Sequence, residues 1–194
     1  MKKGLLNKKI GLGVFFLLVA LNLSFGIPAF AAQEVRYTRF NVHTQAKGNK
    51  VLIANYANFT RPGDGHHIIP AGTEITILKK SRKEFRFQAS GDDRVVRFQF
   101  HEPRMEMSVD EYIEKITSAG KVSLKKLSTL DRKGVAEGKA LVGMTRDGVM
   151  TALGYPATHK TPSLEASTWV YWTNRYKTIA VDFDGRGKVK TVRN

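Results

Sequence analysis

Glu84-Phe85-Arg86-Phe87-Gln88-Ala89-Ser90-Gly91-Asp92-Asp93-Arg94-Val95-Val96-Arg97-Phe98-Gln99-Phe100 decides how the N-terminal half is read. Phe85 and Phe87 alternate with charged residues, and Val96, Phe98 and Phe100 alternate with Arg97 and Gln99. A period of two marks a strand with one face in a core, and Ser90-Gly91-Asp92-Asp93 reads as the hairpin turn between two such strands. Working outward, Val35 to Phe40 alternates, Lys50 to Ala54 is short and apolar, and Glu74 to Leu78 follows the turn-like Pro70-Ala71-Gly72. Five short strands with polar turns predict a small antiparallel β barrel or curled sheet over residues 32–103. Residues 59–67, rich in Gly and Pro and ending in His66-His67, are expected to be the most mobile loop.

Downstream of Pro103 the pattern turns helical. Ser108 and Glu111 form a capping box, Val109, Tyr112, Ile113 and Ile116 share one helical face, and Gly120 is expected to end this connecting helix of the 104–124 segment. A weaker helical stretch runs from about Ser123 to Gly138, interrupted by Gly134, with Ser128 and Asp131 able to restart it. Thr145 caps a further helix that places Val149, Met150 and Leu153 inward and stops at Gly154-Tyr155-Pro156. Ser167 to Thr173, Thr178 to Phe183 and Lys188 to Val192 then read as three strands, the last two joined by Asp184-Gly185-Arg186-Gly187. The expected fold class is therefore α+β. The N-terminal barrel or curled sheet is followed, over 125–194, by two helices and a three-stranded antiparallel meander.

Upstream, residues 1–31 have the three parts of a secretory signal. Lys2, Lys3, Lys8 and Lys9 precede the apolar run Ile10 to Ile27, and Pro28 and Ala29-Phe30-Ala31 supply a cleavage site after Ala31. The alternative is a leader kept as an anchor, but Gly11, Gly13, Asn22, Ser24 and Gly26 thin the apolar run. The chain holds 32 basic and 17 acidic residues; losing the four leader lysines leaves 28 basic residues and a surplus of 11. Such a surplus favours anionic partners, namely lipid headgroups, phosphorylated glycolipid, acidic polymers or acidic proteins; nucleic acid fits the charge equally well but is not expected as a partner of an exported protein. There is no cysteine, which excludes disulfides, thiolate metal sites, cysteine nucleophiles and a lipid-modified N-terminal Cys.

Several C-terminal motifs resemble the SmpA/OmlA family: Gly143-Met144-Thr145, Leu153-Gly154-Tyr155-Pro156, Thr168-Trp169-Val170-Tyr171, Val181-Asp182-Phe183 and Gly187-Lys188-Val189. The resemblance covers roughly residues 125–194 and leaves 32–103 unassigned. It implies a fold similar to β-lactamase inhibitor proteins and a place in outer-membrane β-barrel assembly. Its best-known members are lipoproteins, whereas this chain has no Cys to acylate.

No catalytic constellation is found. His66-His67 with Asp64 is the one metal-like grouping, and adjacent strand histidines face opposite ways. His101-Glu102 lacks the second His of a zinc-protease helix, and Asp182-Phe183-Asp184-Gly185-Arg186-Gly187 lacks the closing Glu of a calcium loop. No catalytic residue, metal or cofactor is expected. The contact expected from the sequence is Trp172, Arg175 and Tyr176 at the turn after the first C-terminal strand. Trp172 faces away from Trp169 and Tyr171, either as an outward aromatic and cationic patch or packed on the N-terminal half. Arg82, Lys83, Arg86, Arg94 and Arg97 crowd one hairpin, as a basic patch or a solvated edge. The resulting expectation is an exported, non-enzymatic protein of the periplasm or cell envelope, an adaptor that binds a protein partner or an anionic lipid or glycolipid. The alternative is an inhibitor of a secreted or periplasmic hydrolase, entering an active site through 59–67 or 157–166.

Overall fold

The computed structural model describes residues 34–194, so the expected leader at 1–31 lies outside the described residues. Phe85 and Phe87 in β6 (Glu84–Ala89), with Val96 and Phe98 in β7 (Val95–Gln99), are at most 2 % exposed, and the two strands pair antiparallel as the alternation predicts. Around this hairpin the chain adds β1 (Glu34–Thr38), β2 (Val42–Lys47), β3 (Val51–Asn55), β4 (His66–Ile69), β5 (Glu74–Ser81) and the two-residue β8 (Thr117–Ser118). Together they form one eight-stranded sheet in the order β4-β2-β3-β7-β6-β5-β1-β8. Its two edge strands are not paired with each other, so the sheet curls into a half-barrel and does not close.

The helices are short: α1 (Glu102–Met105), α2 (Val109–Ile116), α3 (Thr129–Glu137) and α4 (Arg146–Leu153). The remaining strands, β9 (Thr168–Trp172), β10 (Thr178–Phe183) and β11 (Val189–Arg193), make a separate sheet in the order β11-β10-β9. Met105, Val109, Tyr112, Ile113 and Ile116 from α1 and α2 close the core of the large sheet. Val135, Met144, Val149 and Leu153 pack with Trp169, Tyr171, Val181 and Phe183 in a second core.

The α+β expectation is thereby corrected. The protein is mostly β, and the C-terminal part is not a two-helix plus meander arrangement attached to a small five-stranded barrel. Three strands, β2, β4 and β8, were not expected from the sequence, because their pattern is not local; His66 and His67 of β4 fall in the segment expected to be a mobile loop. β2 buries His43 and Thr44 as well as Val42, since both of its faces are covered and its polar groups find partners there. β8 pairs with β1 only after α2 has crossed back. β3, expected as a strand, departs from the antiparallel expectation by running parallel to β7, some forty residues away in the chain.

The helices α3 and α4 also bind to the large sheet. The Asn41 backbone amide donates to the Thr151 carbonyl at 2.8 Å, and its side-chain amide donates to the Val135 and Ala152 carbonyls at 2.7 and 3.3 Å. Described residues of both sheets thus belong to one compact unit.

Local expectations shift by a few residues for visible reasons. α2 ends at Ile116 and not at Gly120, because the Thr117 hydroxyl donates to the Ile113 carbonyl and Thr117 then enters β8. α3 starts from the Ser128–Asp131 capping box and runs through Gly134, where the Met144 sulfur packs so close that a Cβ would collide. Among the described residues, no helix is long and apolar enough to cross a membrane.

Candidate functional site

Trp172 ends β9, opposite Thr178 of β10. Trp169 and Tyr171 are each 1 % exposed in the core, and Trp172 stands on the other face, half-buried. The following turn is closed by Thr173 N–H donating to the Lys177 carbonyl at 2.8 Å. The Asn174 side-chain carbonyl accepts from the amides of Tyr176 and Lys177 at 2.9 and 3.0 Å, an Asx turn that holds the tip. Arg175 and Tyr176 occupy that tip; Tyr176 is 82 % exposed, and the Arg175 guanidinium lies 5.8 Å from its ring centre.

The facing wall comes from the segment after β3. Asn55 accepts from the Ala57 amide through its side-chain oxygen at 2.9 Å, and its carbonyl accepts from the Asn58 amide at 2.9 Å. Asn58 adopts a left-handed conformation, φ 64°, which this short polar side chain tolerates, and its amide group donates to the Tyr155 carbonyl at 2.6 Å. The tight turn presents Tyr56 and Phe59 to the same cleft as Trp172. Thr60 and Arg61 then donate their amides to the carbonyls of Trp172 and Thr173 at 2.9 and 2.8 Å. The segment expected to be most mobile is therefore tied down at its start, and its end belongs to β4.

The cleft so formed has a volume of about 580 Å³, within the range of small-molecule sites. Tyr56, Phe59 and Trp172 supply rings, Asn55 and Gln99 supply amides, and Arg104 and Arg175 supply cations. Arg104 donates to the Tyr56 hydroxyl at 2.6 Å. The rings of His101 and His159 flank Tyr56, with centres 5.8 and 6.2 Å away. The Lys160 ammonium sits 6.0 Å from the centre of the Trp172 ring. Burial, reinforced by the Arg104 and Lys160 charges, pushes the His159 pKa down, so the imidazole is neutral at pH 7. Among the described residues, three buried polar atoms on Trp172 and the 158–159 segment have no hydrogen-bond partner: Trp172 Nε1, His159 Nδ1 and Thr158 Oγ1.

The electrostatics separate this surface from the arginine-rich hairpin. There, Arg86 and Arg97 pair with Glu84, Arg94 with Asp92, and Arg82 with Glu102. Among the described residues no carboxylate lies within ion-pair distance of Arg104, Lys160 or Arg175. Four of the five hairpin cations are thus ion-paired among the described residues, and the three cleft cations are not.

Of the three residues expected from the sequence, Trp172 and Arg175 line the cleft, and Tyr176 stands outside it on the turn tip. Tyr56 and Arg104 were not foreseen, and Phe59 was expected only as part of the candidate loop 59–67. They lie between 68 and 116 positions before Trp172, and no local pattern links them. The other candidates separate. His66 and His67 alternate on β4, His66 toward His43 and His67 toward Asp92 at 3.8 Å. Among the described residues no three His, Asp or Glu side chains are grouped to hold a metal. No family model, no curated protein and no solved structure matches this chain, so the resemblance of residues 125–194 to SmpA/OmlA rests on its short motifs alone.

Proposed function

We propose that this is an exported, non-enzymatic binding protein of the cell envelope, whose contact is the aromatic and cationic cleft beside the β9–β10 turn. The observation that carries the reading is a set of cations, Arg104, Lys160 and Arg175, around half-buried rings, with no carboxylate of the described residues within ion-pair distance. Such a surface attracts an anionic partner over several ångströms and holds it at short range through rings and guanidinium forks. The lysine-rich leader and the basic surplus support export and an anionic environment.

The inhibitor alternative is weakened at the first of its two candidate loops. Its first candidate loop, 59–67, is pinned to β9 rather than free to enter another protein's active site.

The test is binding of the mature chain, from Ala32 onward, to isolated cell envelopes. The Arg104→Ala/Arg175→Ala variant is run beside it at two salt concentrations. Saturable retention that weakens about ten-fold in the variant and falls with salt is the expected result. Equal retention of both proteins removes the cleft as the contact.

A further inference from the structure

We propose that the cleft binds an acidic saccharide, a sugar ring carrying a carboxylate or a phosphate. This rests on the cleft being the anion-accepting contact and adds the chemical class of its ligand. The lining offers three kinds of group, and such a sugar has a use for each. The rings of Tyr56, Phe59 and Trp172 provide apolar faces against which the C–H face of a pyranose packs. The amides of Asn55 and Gln99 match hydroxyls; the Asn55 oxygen already holds the Ala57 amide, which leaves its NH₂ to donate. The guanidinia of Arg104 and Arg175 suit a planar carboxylate or a phosphate.

A polypeptide ligand fits less well. Peptides held in extended form bond to a free strand edge, and here that edge is spent. The carbonyls of Trp172 and Thr173 already accept from Thr60 and Arg61, and β3 lies inside its sheet between β2 and β7. Recognition in the cleft is therefore by side chains alone. A bare inorganic anion, for its part, would use the two guanidinia and leave the aromatic walls and amides without a role.

The experiment is a fluorescence titration of the full mature chain. Trp172 reports from the cleft, while Trp169, 1 % exposed, is shielded from a ligand there. The probes are a uronic-acid oligosaccharide, glucosamine 6-phosphate, a neutral oligosaccharide of matched length, and inorganic phosphate. The proposal expects saturable binding of at least one acidic sugar, about ten-fold tighter than the neutral one. It also expects a loss of about ten-fold in Arg175→Ala, with the circular dichroism spectrum unchanged. Which acidic sugar binds identifies the anion as carboxylate or phosphate. Binding of neutral sugar as tight as acidic, displacement by inorganic phosphate at equal concentration, or no saccharide binding overturns it. If envelope retention still depends on Arg104 and Arg175 while no saccharide binds, the ligand class is wrong and the contact stands. If both measurements are blank, both readings fall.

Discussion

His43 shows what a single residue contributes to holding the two sheets together. It is 4 % exposed in β2, and its Nε2–H donates to the Ala152 carbonyl at the end of α4 at 2.9 Å. With that tautomer, Nδ1 accepts from His66 Nε2–H at 3.1 Å, and the two rings stack. Burial drives the His43 pKa down from 6.5 to about 4, and the neighbouring His66 adds to the shift. The unfolded chain takes up this proton near pH 6.5, whereas the folded chain resists it until about pH 4. The unfolded state therefore binds more protons between those values, and stability falls as the pH is lowered through that window, by up to about 3 kcal/mol. Urea unfolding at pH 7 and pH 5 is expected to show the fall, and His43→Gln to show a much shallower one. An equal slope in the variant would assign the pH dependence elsewhere. Asp92 and Asp182, whose carboxyls are held down to about 2 by Arg94 and Arg193, lose their contributions only at lower pH.

Among the elements, the junction of α3 and α4 turns on Asp131. Its carboxylate caps α3 with Ser128 and also accepts from the Thr145 amide at 2.8 Å, at the start of α4. Burial opposes the charge on Asp131, yet these hydrogen bonds outweigh it and hold the pKa below the usual carboxylate range. Gly148, in the first turn of α4, lies directly against this carboxylate, so a Cβ there would collide with it. In an open helix, Gly→Ala adds up to about 1 kcal/mol of stability. Gly148→Ala is expected to do the opposite and cost about 1–3 kcal/mol, read from the urea midpoint. A stabilised variant would show that the two helices are free to separate. The motif Gly143-Met144-Thr145 was visible in the sequence, and so were the caps at Ser108, Ser128 and Thr145. Asp131 reaching across to a second helix was not, because that contact depends on how the helices pack.

Across the whole molecule, hydrogen bonds from four separate points join the large sheet and its loops to the C-terminal elements. Asn41 bonds to α3 and α4, His43 to α4, Asn58 to Tyr155, and Thr60 with Arg61 to the end of β9. Such hydrogen-bonded links between two cores favour a single cooperative transition. Both tryptophans lie in β9, so their fluorescence follows the smaller sheet, whereas far-ultraviolet circular dichroism is dominated by the larger one. The two signals are expected to coincide in urea. Asn41→Ala, which leaves the Ala71 amide without its partner and removes one of the two donors to the Val135 carbonyl, is expected to shift both midpoints together, by about 1–3 kcal/mol. Separate transitions would mean that the cores unfold independently and that the cleft wall at 55–61 can leave β9.

The features legible from the residues alone are set within a few positions along the chain. They include the alternation of the β6–β7 hairpin, the helix caps, and Trp172 on the face opposite Trp169 and Tyr171. Steric and hydrogen-bonding rules act at that range, so the residues themselves carry the information. Tertiary structure alone decided the eight-strand order, the parallel pairing of β3 with β7, and the polar strand β2 buried on both faces. It also decided that Tyr56 and Arg104 would meet Trp172 and Arg175 around one cleft. Those outcomes follow from which distant surfaces cover one another, and a buried His or Thr looks in sequence like any exposed one until its partner is in place.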